Sequence, residues 1–377
     1  MKGYFLKEVI PDNVKEKFSL LFFKIASCLT DPICKAHESF RLFTLEKGLL
    51  FKKSILALAL ISNTTLAFFT TLPGVALRSY AKTLLPTPYI HISNLPAEKN
   101  LPQSGKFSLL TWNICGIAGG YSISDGGVAP WRERIDAITD KILVQDADVN
   151  CILETFDSTC AFHLAEKLKR HGYAHIYYNI GPKAIGVSSG ILVASKYRIS
   201  NPEFTLFPEQ TLVGRTKGAN KGFFAFDLTS NGQTFTRIYT THLQHSEEPE
   251  HPTPEEVQAR AAQMDHILMK MAQDKGRNSI LTGDLNLDDE EYGRSSWKNH
   301  FEQPLPLPKK TWGGDRYFAK FMGKKISNPL NLDYILVAKG EAKTLSTILV
   351  DTEFQPDSYS KHALSDHHGI LSEIRVP

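Results

Sequence analysis

The chain has 377 residues, enough for one large domain with an appendage or for two domains. Hydrophobic residues make up 42% of it, which suffices for a full core and excludes disorder over most of the length. The net charge of +3 excludes the dense basic surface of a dedicated nucleic-acid-binding protein. Five cysteines without Cys-x-x-Cys spacing predict mostly free, buried thiols rather than a disulfide framework.

Residues 1–83 form an N-terminal segment, and its first 48 residues show no pattern that predicts an element or a function. The run from Ser54 to Leu77 contains no charged residue, and basic residues flank it on both sides. Its length is that of a membrane-spanning helix, so it predicts a single-pass anchor. One asparagine, one proline and several hydroxyl residues within it also suit a buried or interfacial segment, and that alternative stays open.

The distribution of charge around this run predicts an orientation. More lysine and arginine residues precede the run at close range than follow it. Because basic flanks tend to stay in the cytoplasm, we expect the N-terminus to be cytoplasmic and the C-terminal domain to face the non-cytoplasmic side. Four prolines then fall within residues 84–106, which predicts an extended linker to a globular domain over residues 107–377.

Strand-like and helix-like patterns alternate through this domain, as in layered α/β proteins. The predicted strands cover residues 107–113, 149–154, 190–195, 222–226, 237–242, 279–282 and 332–337, and a last one opens near residues 364–370. Predicted helices begin near Trp131, run over residues 162–170, and span about residues 254–273.

Polar residues stand at the ends of six of these strands. They are Asn113, Glu154, His242, Asp284 with Asn286, Asp333, and Asp366 with His367. Each one alone is typical of a turn residue or a hydrogen-bonded core group. Together they favour one shared site, because the ends of core strands combine rigidity with access.

These residue types suit metal-assisted hydrolysis of a phosphate ester. Carboxylates hold a hard divalent cation, and an imidazole oriented by a second carboxylate removes a proton from water. Amide and imidazole donors stabilise the charge that develops on the phosphate oxygens.

Seven motifs resemble those of the endonuclease/exonuclease/phosphatase superfamily, from about residue 105 to the C-terminus. They are Thr-Trp-Asn-Ile at 111–114, Ile-Leu-Glu at 152–154, Ser-Gly-Ile-Leu-Val-Ala-Ser-Lys at 189–196, Thr-His-Leu-Gln at 241–244, Gly-Asp-Leu-Asn at 283–286, Leu-Asp-Tyr-Ile-Leu at 332–336 and Ser-Asp-His at 365–367. The resemblance implies a four-layer α/β/β/α sandwich of two mixed β-sheets flanked by helices, to which the N-terminal hydrophobic helix is an appendage. It also implies dependence on Mg²⁺, with Mn²⁺ or another divalent cation as alternatives.

The resemblance implies a role for each polar residue. Glu154 resembles the principal metal ligand, with Asn113 beside it and Asp366 as a metal-proximal carboxylate. Asp284 resembles a residue that positions the attacking water or a second metal.

The remaining roles concern the substrate and the proton. Asn286 and His242 resemble residues that contact the scissile phosphate. His367, rather than its neighbour His368, resembles the general base, and Asp333 resembles the carboxylate that orients it.

Within the superfamily, three segments are most similar to neutral and bacterial sphingomyelinases. They are Asn-Lys-Gly-Phe at 220–223, the histidine motif at 241–244, and residues 189–199, although Arg198 departs from the proline common in that pattern. Lys221 is either a phosphate contact or a solvated loop charge. The lysines and aromatic residues of 308–322 either touch a membrane or pack on the core.

The sequence therefore predicts a Mg²⁺-dependent phosphodiesterase that acts on a sphingomyelin-like phospholipid, with no particular protein partner. A nuclease or an inositol-phosphate or phosphoinositide phosphatase on the same core is the alternative. A non-catalytic membrane-bound interaction module is the third hypothesis.

Overall fold

A computed structural model describes residues 14–45, 50–85, 87–94, 97–117, 128, 131–182, 187–274, 278–313, 329–352 and 363–377. Its α-helices are α1 (Val14–Leu45), α2 (Leu50–Thr83), α3 (Trp131–Gln145), α4 (Ser158–Arg170), α5 (Pro254–Gln273) and α6 (Asp289–Arg294). Its strands are β1 (Ile90–Ser93), β2 (Lys106–Asn113), β3 (Val149–Leu153), β4 (His175–Tyr178), β5 (Leu192–Ser195), β6 (Arg198–Leu206), β7 (Gly222–Ser230), β8 (Gln233–His242), β9 (Ser279–Asp284), β10 (Asp333–Val337), β11 (Lys343–Val350) and β12 (Gly369–Arg375).

The strands form two mixed sheets that pack face to face, which confirms the predicted sandwich. The first sheet has the order β1-β4-β5-β3-β2-β12-β11, and the second has the order β10-β9-β8-β7-β6. Helices α3 and α4 cover the outer face of the first sheet, and α5 covers the outer face of the second. A separate apolar core lies between the sheets.

Strand β3 shows how the sequence produces these layers. All five of its residues are buried. Val149, Cys151 and Leu153 alternate into the core between the sheets, while Ile152 packs under the helices. A strand buried on both faces reads as a continuous apolar run, as this one does. Cys151, like Cys115 and Cys160, is a free buried thiol, as predicted.

Strand register places polar side chains beside one another at one edge of the second sheet. In the parallel pair β8 and β9, His242 lies opposite Asp284, and in the antiparallel pair β9 and β10, Asp284 lies opposite Asp333. In the first sheet, Asn113 ends β2 beside Leu153 of β3, which Glu154 follows directly. The second sheet thus supplies His242, Asp284 and Asp333, which face Asn113 and Glu154 of the first sheet across the open end of the sandwich.

The N-terminal segment forms a helical hairpin in which α1 and α2 run antiparallel. The hairpin is close-packed: a Cβ added at Gly74 of α2 would lie 2.8 Å from the side chain of Thr30 on α1. The Ser19 hydroxyl of α1 donates to the Ala81 carbonyl of α2 at 2.8 Å. No element was predicted before residue 48, because much of the surface that α1 buries is serine and alanine, and Pro32 interrupts the helical pattern.

One sequence interpretation was wrong, and one open alternative is decided. The predicted linker contains strand β1, which pairs antiparallel with β4 at the edge of the first sheet. Its prolines lie outside the strand, so they do not remove any ladder hydrogen bond. For Trp312 the second of the two stated alternatives holds, because it packs on the core against Cys115, Val128 and Leu332. The later aromatic residues of that segment, Tyr317 to Met322, lie outside the described residues.

We predict that Gly283→Ala destabilises the sandwich by about 3 kcal/mol or more. Gly283 has φ of 137°, and an added Cβ would lie 1.9 Å from the Thr241 carbonyl oxygen of the neighbouring strand. Gly232→Ala is the matched control, because its φ of 78° is also positive but nothing lies near its Cβ. The control costs about 1 kcal/mol. Urea unfolding followed by fluorescence measures both, and equal midpoints would refute the steric argument.

Candidate active site

His367 and Asp333 form a buried hydrogen-bonded pair at the edge of the sandwich. Nδ1 of His367 lies 2.7 Å from Oδ2 of Asp333. The carbonyl of His367 accepts a hydrogen bond from the indole of Trp112 at 2.9 Å, so the backbone of the pair is fixed as well. Nε2 of His367 faces the carboxylates of Asp284 and Asp366, at 3.7 and 3.9 Å. Because Nδ1 pairs with Asp333, Nε2 is the nitrogen that points into the site.

Burial alone favours the neutral form of His367, but three carboxylates act against it. The charges of Asp333, Asp284 and Asp366 together raise the pKa of the imidazole well above its usual value. His368 has different surroundings: Nδ1 accepts a hydrogen bond from the Thr352 N–H at 3.1 Å, on the side of β11. The structure thus places the first of the two histidines, and not the second, beside Asp333.

Asn113 joins the two sheets across the site. Its Nδ2 donates to Oε1 of Glu154 at 3.1 Å and to Oδ2 of Asp284 at 3.0 Å. Its Oδ1 accepts from the backbone N–H of Cys115 at 3.0 Å. Asn113 therefore holds two carboxylates in place here, and its expected role as a metal ligand stays a prediction.

Glu154 has the features of a carboxylate built to receive a cation. It is buried, its backbone has φ of 60°, and Oε2 has no hydrogen-bond partner among the described residues. Burial raises the pKa of Glu154 to about 7, and the charges of Asp366 and Asp284 add to the rise. An orphaned carboxylate oxygen in a buried site is costly unless a cation pairs with it.

Asp284 and Asp366 extend this acidic group. Burial raises the pKa of Asp284 to about 6, although nearby His367 opposes the rise. Asp366 is buried, and its Oδ1 accepts a hydrogen bond from Ser365 at 3.2 Å. Glu154, Asp284 and Asp366 are therefore candidate ligands for a hard divalent cation, because such a cation prefers carboxylate oxygens.

Among the described residues, the group of three possible ligands found close together is Asp284, Asp333 and His367, whose single ligand atoms lie within 4.8 Å of one another. A cation at that position would compete with the hydrogen bond that already joins Asp333 to His367. We therefore favour the group that contains Glu154, whose oxygen lacks a partner.

His242 faces the same carboxylates from the second sheet. Nε2 lies 3.5 Å from Oδ2 of Asp284, and Nδ1 lies 3.9 Å from Oε1 of Glu154. Burial lowers the pKa of His242 well below its usual value, and the charge of Lys221 lowers it further. A neutral imidazole can donate only one hydrogen bond, so its two nitrogens have different roles.

Lys221 and Asn286 both contact the backbone beside His242. The ammonium of Lys221 and the side-chain amide of Asn286 donate to the carbonyl of Leu243. Burial lowers the pKa of Lys221 to about 8, while the charges of Asp284 and Glu154 act in the opposite direction. Lys221 is thus a buried cation beside the carboxylates, and the solvated loop charge considered from the sequence is excluded.

Sequence reasoning missed three residues that hold the site together. The buried guanidinium of Arg134 donates to the carbonyls of Ile114, Cys115 and Leu364, on both sides of the site. The hydroxyl of Ser365 donates to the Asn113 carbonyl at 2.6 Å. The hydroxyl of Thr311 accepts from the Asp333 N–H at 3.2 Å. One signal was available for Arg134, because it lies on the apolar face of α3 between Trp131 and Ile138.

Comparison with known proteins assigns this arrangement to a family. The sequence pattern of the Endonuclease/Exonuclease/phosphatase family matches residues 110–367, which is more than half of the chain. The matched region contains Asn113, Glu154, His242, Asp284, Asn286, Asp333, Asp366 and His367. A search of curated protein sequences found no match.

Solved structures share the fold at low sequence identity. A variant of beta toxin from Staphylococcus aureus, with bound magnesium ions, has a TM-score of 0.59 and 20% identity, covering 71% of this chain and 99% of that one. Sphingomyelinase C from Streptomyces griseocarneus has a TM-score of 0.55 and 19% identity, covering 71% and 99%. Humanized D. rerio TDP2 has a TM-score of 0.52 and 17% identity, covering 72% and 100%.

We predict that binding of Mg²⁺ or Mn²⁺ weakens about tenfold for each pH unit below the pKa of Glu154 near 7, because protons and the cation compete for one carboxylate. Isothermal titration calorimetry between pH 5.5 and 8 measures the affinity. Buffers of different ionisation enthalpy report the protons released. Glu154→Gln should bind more weakly and lose most of this pH dependence. An affinity that stays constant with pH in the unaltered protein would contradict the assignment.

Proposed function

The chain belongs to the endonuclease/exonuclease/phosphatase family and is a metal-dependent phosphoric ester hydrolase, and we propose that it is a Mg²⁺-dependent phosphodiesterase that removes the headgroup of a sphingomyelin-like phospholipid. The observation that carries the chemistry is the His367–Asp333 pair, whose free Nε2 faces the buried carboxylates. This arrangement supports a base beside the site of a cation, as hydrolysis of a phosphodiester requires.

The base and its partner act on the attacking water. His367 accepts the water's proton on Nε2, and the hydrogen bond from Nδ1 to Asp333 keeps the imidazole in the correct tautomer and stabilises its charged form. The water oxygen bonds to phosphorus, and the bond to the leaving oxygen breaks. The leaving oxygen takes a proton from solvent as the alcohol departs, and His367 returns its proton to solvent before the next turnover.

Residues of the second sheet face the phosphate. His242 is neutral at pH 7 and donates one hydrogen bond to a phosphate oxygen, while Lys221 supplies a buried positive charge nearby. Asn286 is within reach of the same region, because it follows Asp284 by two residues and its amide contacts Leu243.

Glu154, Asp284 and Asp366 would hold the divalent cation. When bound there, the cation supplies positive charge that neutralises the phosphate oxygens and counters the rise in the pKa of His367.

The lipid substrate rests on two further observations. Two of the similar structures are beta toxin and sphingomyelinase C. In addition, helix α2 is long and apolar enough to cross a membrane, and several of its large apolar residues are exposed. An enzyme held at a membrane meets lipid substrates at high local concentration.

We predict that replacing Asp333 by Asn moves the acid limb of the pH–rate profile to lower pH. The charge of Asp333 raises the pKa of His367, so removing that charge lowers the pKa and makes the neutral base available at lower pH. The maximal rate should fall at the same time, because the tautomer is no longer fixed. The measurement is kcat/KM against pH from 5 to 9.

Variants of the two adjacent histidines serve as controls for this profile. His367→Ala should lose a factor of about 100 to 10,000 in kcat together with the acid limb. His368→Ala should retain both. A normal acid limb in His367→Ala would show that another group is the base.

A substrate panel tests the proposed specificity. The full chain with Mg²⁺ should release phosphocholine from sphingomyelin vesicles faster than it releases phosphate from phosphoinositides or inositol phosphates, or cleaves plasmid or single-stranded DNA. His367→Ala, assayed in parallel, controls for contaminating activity. Cleavage of DNA without any lipid hydrolysis would replace the proposal by a nuclease function, and release of inorganic phosphate would indicate a phosphatase.

A further inference from the structure

Helix α1 is docked on the catalytic sandwich and is not a free stalk. Leu20 and Phe23 of α1 lie in the same buried core as Phe162 of α4. The hydroxyl of Thr159 donates to the hydroxyl of Ser27 at 2.6 Å, across the start of α4. These contacts bury apolar surface along one side of α1 and fix its position on the helical layer.

The direction of α1 follows from the order of its contacts. Lys24 lies over the ring of Phe162, at 5.6 Å, whereas Ser27 meets Thr159 and Asp31 pairs with Arg132 at 2.9 Å. Helix α1 therefore runs antiparallel to α4, towards the N-terminal turns of α3 and α4.

Those turns lie at the edge of the sandwich that carries the active site. Helix α4 begins shortly after Glu154, and Arg134 in the first turn of α3 donates to the carbonyls of Ile114 and Cys115, next to Asn113. The part of α1 beyond Asp31 consequently continues past the edge that carries the site.

Helix α2 projects in the same direction beside α1. Its Gly74 packs against Thr30, and the amide of Asn63 donates to the hydroxyl of Ser39 at 3.4 Å. From Gly74 back to Leu50, α2 extends about 36 Å at 1.5 Å per residue. The hydrocarbon core of a bilayer is about 30 Å thick, so this length suffices to enter or cross it.

The outward face of the projecting part of α2 is apolar. Leu58, Phe68, Phe69 and Leu72 are between 67 and 82% exposed, and the run from Ser54 to Leu77 contains no charge. The exposed lysines 52 and 53 lie at the far end of this run. An apolar stretch of this length with basic residues beyond it matches a lipid bilayer better than a protein partner, whose interface would carry a polar rim.

We propose that α2, held against α1 in one helical hairpin, inserts its exposed apolar face into the bilayer and holds the active-site edge of the sandwich towards it, so that the enzyme acts on lipids of the same membrane to which it is bound. The bilayer contacts α2, while α1 covers the inner face of α2 and ties it to the sandwich. This use of the hairpin rests on the proposed phospholipid substrate.

The hairpin changes the membrane topology expected from the sequence. Residues 19–31 of α1 contact either the sandwich or the C-terminal half of α2, so they lie on the same side of the membrane as the catalytic domain. A single-pass anchor with the N-terminus on the opposite side would require α1 to leave these contacts. The positive-inside argument then applies to the end of the hairpin near Lys52 and Lys53, and not to the N-terminus.

The first experiment determines topology and does not depend on activity. The full chain, with one tag at the N-terminus and another at the C-terminus, is added to preformed phosphatidylcholine vesicles that are then floated. An impermeant protease should remove both tags from the floated protein. Protection of the N-terminal tag alone would overturn the hairpin. Failure to float, with self-association through α2 in solution, would show that a second copy covers the helix.

The second experiment tests whether the active-site edge of the sandwich faces the bilayer. Enzyme and sphingomyelin are placed either in the same vesicles or in separate vesicles. Turnover should be higher in the same vesicles by a factor on the order of ten or more, because tethering raises the effective concentration. Equal turnover in both arrangements would refute the orientation.

A docking variant tests whether α1 sets that direction. Phe23→Ser combined with Asp31→Arg removes an apolar contact and places a cation beside Arg132. The variant should still float and keep its activity on detergent-dispersed sphingomyelin, but its preference for the same vesicle should fall towards one. Asp140→Arg, an equal charge change on the exposed side of α3, should keep the preference. An unchanged preference in the docking variant would contradict the proposal.

The two experiments separate the hairpin from the proposed substrate. If no sphingomyelin is hydrolysed in either arrangement or in detergent, the proposed function fails, whereas tag removal still decides the topology. If detergent-dispersed sphingomyelin is hydrolysed but the N-terminal tag stays protected while the C-terminal tag is removed, the function stands and the hairpin fails.

Discussion

The hydrogen bonds from one amide, Asn113 Nδ2, to Glu154 and to Asp284 connect the ends of the two sheets. Both carboxylates are buried, where they lose their hydration and repel each other. The site is therefore stable only because hydrogen-bond donors and positive charges lie among them. The distances depend on strand register: a shift of one residue in β9 would turn Asp284 away from the first sheet. Gly283 sets that register through a close approach to β8 that no residue with a Cβ could make. The chemistry of the site therefore depends on backbone packing just outside it.

The two histidines of the site illustrate how neighbours set chemical roles. His242 and His367 are both buried, yet the pKa of His242 is lowered and that of His367 is raised. The difference lies in the partners: Asp333 contacts His367 at 2.7 Å, whereas Lys221 adds positive charge beside His242 and the nearest carboxylate stays 3.5 Å away. Two like groups whose environments push their pKa values apart take different parts in proton transfer. One is suited to accept a proton, and the other is suited to remain neutral and donate a hydrogen bond.

The sequence predicted eight strands, helices α2 to α5 and the polar residues at the strand ends, because apolar runs that stop abruptly at Asn, Asp, Glu or His are visible in one dimension. It did not predict β4, β6, β11 or α6. It could not predict register, which decides that His242, Asp284 and Asp333 lie side by side. Nor could it show that the amide nitrogen of Asn113 faces the carboxylates. Strand β1 was missed because four residues among prolines are too short for a period-2 pattern, and only pairing with β4 reveals it. Helix α1 was not predicted for a related reason. Its buried surface consists partly of serine and alanine, and only their packing against α2 shows that this surface is buried.

The contact between α1 and α4 also lies only a few residues from Glu154 along the chain. Asp157 caps α4 by accepting hydrogen bonds from the N–H groups of Thr159 and Cys160, and Thr159 is the residue that contacts α1. Glu154 lies just before this cap, in a left-handed backbone conformation that an isolated loop would not maintain. The segment itself is kept in place from the inner side, where the Gly190 carbonyl accepts a hydrogen bond from the Thr155 N–H at 2.8 Å. Helix α1 packs on α4 beyond this segment. A membrane anchor attached elsewhere on the sandwich would hold the enzyme at the bilayer, but one attached at the start of α4 lies beside the edge that carries the site.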